Sequence, residues 1–156
     1  MNWLEVFDAL ERTAVGQAIR ESLWLFPAIE AVHLLGLGLL GGSLLVVDLR
    51  LLGLGLRGRA PHLVLADARP WFLAALATMF ATGIPLFLSE AIKCFYNYSF
   101  WVKMIALATG LVFTFAIKHP LVRRDPGRLL GAVLGLASLG VWFTVAAAGR
   151  WIGFSG

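Results

Sequence analysis

The stretch Glu30-Ala31-Val32-His33-Leu34-Leu35-Gly36-Leu37-Gly38-Leu39-Leu40-Gly41-Gly42, continuing through Leu44 and Val47 to Asp48 and Arg50, decides how this chain is read. It stays apolar over more than the ~20 residues a helix needs to cross a bilayer. It also carries a Glu, a His and an Asp, which are costly in lipid and by default mark functional positions. At ~100° per residue, Glu30, His33, Leu37, Gly41, Leu44 and Asp48 fall on one helix face.

Composition extends that reading to the whole chain. Of 156 residues, 60% are hydrophobic and 14% charged, and the mean hydropathy is +0.84. A soluble domain is about 45–50% apolar and about 25% charged. The expected fold class is therefore all-α: a single transmembrane domain, an integral membrane four-helix bundle with an N-terminal amphipathic interfacial helix. The net charge of +4 and a pI near 9.8 reflect arginines near span ends that set topology, so no nucleic acid is expected as a partner. Cys94 is the single cysteine, which excludes an intrachain disulfide and any multi-cysteine metal site. Glu5, Asp8, Glu11, Arg12, Arg20 and Glu21 put too much charge into residues 1–21 for a signal-peptide core.

Residues 2–20 read as the amphipathic helix, with Phe7, Val15 and Ile19 near a period of 3.6 and acids opposite. Four spans are expected at about 22–54, 70–92, 100–118 and 129–150. Pro70 is placed at the start of the second span, and Lys93 to Ser99 form a short aromatic loop at an interface. Arg50, Arg57, Arg59, Arg69, Lys118, Arg123, Arg124 and Arg128 gather at the 1–2 and 3–4 connections. The positive-inside rule then puts both termini outside, in the inner membrane if the source is a Gram-negative bacterium.

Glu30 and His33 lie one helical turn apart, which suits a haem or metal ligand with an acceptor for its second nitrogen, a proton-handling pair, or plain helix packing. Glu90, Lys93 and Lys103 belong to the same outer half, where a Glu90–Lys103 or Glu30–Lys103 pair would neutralise the site. For a haem, His119 and His62 lie too deep on the inner side. His33 and His119 are about 15–25 Å apart along the membrane normal by helical rise. Met79 and Met104 are nearer in depth and offer a thioether. The glycines, among them Gly36, Gly38, Gly41, Gly42, Gly83, Gly131 and Gly135, allow close helix approach or leave room for a flat macrocycle beside His33. Asp48 is expected to pair with the inner arginines.

The phrases Leu25-Phe26-Pro27-Ala28-Ile29-Glu30-Ala31-Val32-His33-Leu34-Leu35-Gly36, Val47-Asp48-Leu49-Arg50-Leu51-Leu52-Gly53 and Thr82-Gly83-Ile84-Pro85-Leu86-Phe87-Leu88-Ser89-Glu90-Ala91-Ile92-Lys93, followed by Phe100-Trp101-Val102-Lys103-Met104, carry a resemblance. Over about residues 22–115 the chain resembles an uncharacterised family of small four-helix bacterial inner-membrane proteins. It is also distantly similar to the copper resistance protein D and cytochrome b-type membrane domains, in a histidine- and glycine-bearing first helix and a lysine opening a later one.

Three functions stay open at this level. The first is a membrane redox or cofactor-binding subunit. There His33, Glu30, Met79 and Met104 would serve a haem b, or His33 and Glu30 a metal ion, and electrons would pass to quinone or a periplasmic redox protein. The second is a small transport or proton-coupled membrane protein built on Glu30, Glu90 and Lys103. The third is a structural subunit of a larger membrane complex or a homo-oligomer, docked in the lipid bilayer through its glycine faces.

Overall fold

The computed structural model describes residues 2–154. The described residues form helices joined by short turns: α1 (Trp3–Glu11), α2 (Ala14–Glu21), α3 (Leu25–Leu51), α4 (Pro61–Ser89), α5 (Ala91–Tyr96), α6 (Tyr98–Arg123) and α7 (Arg128–Trp151). Four of them, α3, α4, α6 and α7, are long and apolar enough to cross a membrane, and the chain is a multi-pass membrane protein. Helix α3 packs on α4 and α7, α6 packs on α7, and the end of α6 meets α4 and closes the bundle. One end of the bundle holds both termini and α5, and is called the terminal end below. The other holds the 52–60 and 124–127 turns, and is called the loop end.

The second apolar helix begins nine residues earlier than expected, at Pro61 rather than Pro70. His62, Asp67 and Arg69 make residues 61–69 look like a connection. Pro61, however, sits in the first turn of α4, where a missing N–H costs nothing. Pro70 and Pro85 both lie inside the helix, where each leaves one upstream carbonyl without its backbone partner. The third helix runs on to Arg123 because residues 113–118 form a π turn, in which the His119 N–H reaches the Thr114 carbonyl. Nothing in the local sequence announces that turn.

The expected N-terminal helix is two helices. Thr13 breaks it and caps the second, its hydroxyl accepting from the Gly16 N–H at 3.3 Å. Both pieces are tied to the terminal end of the bundle. Phe7 is buried against the rings of Phe87, Phe95 and Trp101. Gly16 lies so close to the Leu88 carbonyl that any side chain would collide with it. The Glu11 carboxylate pairs with Arg20 and accepts from the Ile92 N–H at 2.6 Å at the start of α5.

Two apolar layers fill the bundle. Near the loop end, Val47, Leu51, Val64, Leu65, Val122 and Leu134 cluster. Farther in, Leu40, Leu44, Phe72, Ala75, Trp142 and Val145 form the second layer. Along α3, Asp48 falls between Leu44 and Leu51. Along α7, Ser138 falls four residues from both Leu134 and Trp142. A polar layer is thus enclosed between two apolar ones.

Candidate functional site

That polar layer contains the most deeply buried charges. Asp48 is 0% and Lys118 is 1% exposed. The Lys118 Nζ stands 2.5 Å from the Asp48 Oδ1 and donates to the Ser138 hydroxyl at 2.8 Å. Apart from the ion-pair contact, neither Asp48 oxygen has a well-directed hydrogen bond. The elements explain the meeting. Gly131 and Gly135 let α7 approach α3, so that a Cβ at Gly135 would lie 3.1 Å from the Asp48 carbonyl. Lys118 closes the π turn, and Thr114 within it accepts from the Trp142 indole N–H at 3.1 Å. A one-residue insertion of this kind re-aims every side chain that follows it.

His119 follows Lys118 and is buried against the rings of Phe72 and Phe115. A cavity of about 10 Å³ lies between Lys118, His119, Ser43 and Arg69, about the room that one water needs. Asp48 therefore pairs with a buried lysine of α6 rather than with the loop-end arginines. Arg50 instead donates to the Arg59 carbonyl.

The outer group is looser. His33 Nδ1 lies 2.7 Å from the Thr82 hydroxyl, and that hydroxyl donates to the Thr78 carbonyl at 2.6 Å. A hydroxyl has one proton. With it committed to Thr78, His33 is the donor, so Nδ1 carries the hydrogen and Nε2 keeps a lone pair. Thr82 of α4 thus orients the imidazole, not Glu30, whose side chain is exposed. Gly83 makes room for the ring, and a Cβ there would lie 3.1 Å from the His33 Cε1. Glu90 meets Lys93 at 3.6 Å, not Lys103. Lys103 lies along Gly149 and has no carboxylate partner among the described residues. Cys94 is buried in α5, outside the spans, and burial, with the Glu90 carboxylate next, pushes its thiol up to about 11.

The space at Gly36 is taken by Thr78 and the Met79 sulfur, whereas Gly38, Gly41 and Gly42 have no side chain or neighbouring backbone within 4 Å of a Cβ. Met104 is exposed. His62 is engaged by the Asp125 carboxylate at 2.8 Å at the loop end, on the far side of the bundle. Among the described residues, no three His, Cys, Asp or Glu side chains gather in a way that could hold a metal ion. Around His33 the structure places the Thr82 hydroxyl and Gly83, with the Met79 sulfur one turn along at Gly36.

The model of a family described as "Family of unknown function (DUF6644)" matches residues 24–155. The match takes in all four apolar helices, and the chain belongs to this family. No curated protein and no solved structure matches the chain. Nothing in these comparisons supports the likeness to copper resistance protein D or cytochrome b-type domains.

Proposed function

We propose that this protein is a small proton-coupled membrane protein of the transport class, whose working element is the Asp48–Lys118 pair. The observation that carries the proposal is that ion pair, 2.5 Å across and enclosed on all sides. A buried pair of opposite charges within membrane-spanning helices is rare and belongs to ion or proton pathways more often than to packing. The pair has two charge states with one proton count. A proton passing from the Lys118 ammonium to the Asp48 carboxylate converts two charges into a neutral amine and a neutral acid. Ser138 accepts from the Lys118 amine, and the small cavity beside Lys118 and His119 has about the room of one water. A π turn is a frequent feature of functional helices because its spare backbone group can shift register. The arginine-rich loop end is placed in the cytoplasm of a bacterial inner membrane, with both termini outside, by the positive-inside rule.

Purified protein in vesicles loaded with a pH-sensitive dye, under a potassium diffusion potential, tests this. The expected result is protein-dependent proton flux that Asp48→Asn abolishes. Flux no greater than in empty vesicles, or flux that persists in Asp48→Asn, overturns the proposal. A redox role keeps one favourable observation, the free Nε2 of His33. A Soret band in the purified protein that is lost in His33→Ala would put that role in its place.

A further inference from the structure

The loop end contains a cavity that the Asp48–Lys118 pair does not use. It measures about 610 Å³ and lies between the end of α3, the start of α4 and the turn into α7. Arg50, Arg57 and Arg128 line it, with Asp125 as the one acid on its wall. That carboxylate is already engaged by His62 at 2.8 Å. Arg57 donates its Nε to the Gly53 carbonyl at 2.6 Å, and Arg50 donates its Nε to the Arg59 carbonyl. The Arg50 and Arg57 guanidinium groups are therefore anchored through Nε, with their outer nitrogens left over. None of the three arginines has a carboxylate partner among the described residues, whereas the neighbouring Arg59 is paired with Asp67 at 2.8 Å.

The cavity's shape depends on the backbone. Gly53, with φ at 74°, takes the left-handed conformation that ends α3 and turns the Leu54 N–H back to the Leu49 carbonyl at 2.9 Å. Asp125, with φ at 49°, makes a similar turn ahead of Pro126. The rest of the wall mixes backbone with apolar side chains, among them Leu51, Ala60 and Pro61. Three arginines without carboxylate partners, two of them anchored, beside apolar side chains match the chemistry of a phosphate ester. The guanidinium fork suits the phosphate oxygens, and the apolar side chains suit the carbon attached to them.

We propose that this cavity binds a phosphoryl group, with Arg50, Arg57 and Arg128 as its ligands. A phosphoryl group reaches the end of a membrane bundle either on a phospholipid, whose head groups basic pockets between helices bind, or as a soluble phosphate compound. The experiment separates the two sources. The full chain in detergent is titrated with phosphatidylglycerol, with phosphatidylcholine, or with inorganic phosphate, and binding is followed by native mass spectrometry and by the shift in thermal unfolding. Retention and stabilisation by phosphatidylglycerol alone assign the site to an anionic lipid. Saturable stabilisation by inorganic phosphate, competing with the lipid, assigns it to a soluble phosphate group. Either result supports the site.

Losing one charge-assisted fork weakens such binding by about tenfold or more. Arg128→Gln and Arg50→Gln are therefore expected to bind at least about tenfold more weakly, with Arg128→Lys in between. Arg124→Gln, at the same end but outside the cavity, is expected to bind as the wild type does. Two results overturn the proposal. One is binding that does not distinguish phosphatidylglycerol from phosphatidylcholine and is absent with phosphate. The other is an Arg124→Gln loss equal to that of the cavity variants, which would show a diffuse basic surface and no site. Should Arg50→Gln fail to fold, Arg128→Gln, on the exposed side of the cavity, gives the same comparison.

Discussion

Replacing Lys118 with Met removes the cation from the centre of the bundle and leaves the Asp48 carboxylate buried without a counter-charge. The separation of 2.5 Å sets the scale. With an effective dielectric of about 20, the attraction amounts to about 7 kcal/mol. Against it stands a desolvation cost of several kcal/mol for each ion, so the pair as a whole contributes little to stability. Removing one partner is different, because the remaining ion keeps its desolvation cost and loses its compensation. Lys118→Met and Asp48→Leu are each expected to destabilise the protein by about 3–5 kcal/mol. The double variant Asp48→Leu/Lys118→Met, which replaces both charges with apolar groups, should lie within about 1 kcal/mol of the wild type. Unfolding in mixed micelles, followed by circular dichroism, measures all four proteins in one cycle. Single losses below about 1 kcal/mol, or a double loss equal to the sum of the singles, would refute a buried and mutually compensated pair.

Two further substitutions probe the packing, and alkylation of Cys94 probes the terminal end. Gly135→Ala places a methyl 3.1 Å from the Asp48 carbonyl and 3.3 Å from the Leu52 Cγ, and should cost about 1–3 kcal/mol in the same assay. Gly140→Ala meets nothing within 4 Å and should change stability by less than about 0.5 kcal/mol. Equal effects at the two sites would remove the close α3–α7 approach as the reason for glycine. Cys94 should resist iodoacetamide in the folded protein until the pH nears 11, while the unfolded chain reacts around 9.0. Between those values the native thiol keeps a proton that the unfolded chain has lost, so this group makes stability fall as the pH rises through the window. Equal alkylation rates at pH 9 with and without denaturing detergent would contradict the burial of that thiol.

The four apolar helices were legible because the bilayer demands long uninterrupted apolar runs, and α3 and α7 lie within a few residues of their expected limits. The start of α4 was not legible. His62, Asp67 and Arg69 give residues 61–69 the composition of a loop, which moves the expected start to Pro70, whereas the helix begins at Pro61. The pairing of Asp48 with Lys118 was hidden for a related reason. The two residues are far apart in sequence, and Lys118 sits in a basic run that reads as an interfacial anchor. The π turn that swings it inward leaves no mark in periodicity. A usable signal was nonetheless present. Asp48 lies on α3, while Gly131, Gly135 and Ser138 make a small-residue stripe on α7, and such a stripe lets two backbones approach and needs a polar layer to be satisfied. At the other end, Glu30 and His33 share a face, but only the fold reveals that Thr82 of α4 holds the imidazole.

The most direct test of the central claim is proton flux through the double variant Asp48→Leu/Lys118→Met, measured in vesicles beside the wild type. Because this variant is expected to keep its fold, it separates the proton function of the pair from its part in stability. The account predicts that its flux falls to the level of empty vesicles while its unfolding stays close to that of the wild type. Wild-type flux from a folded double variant would contradict it.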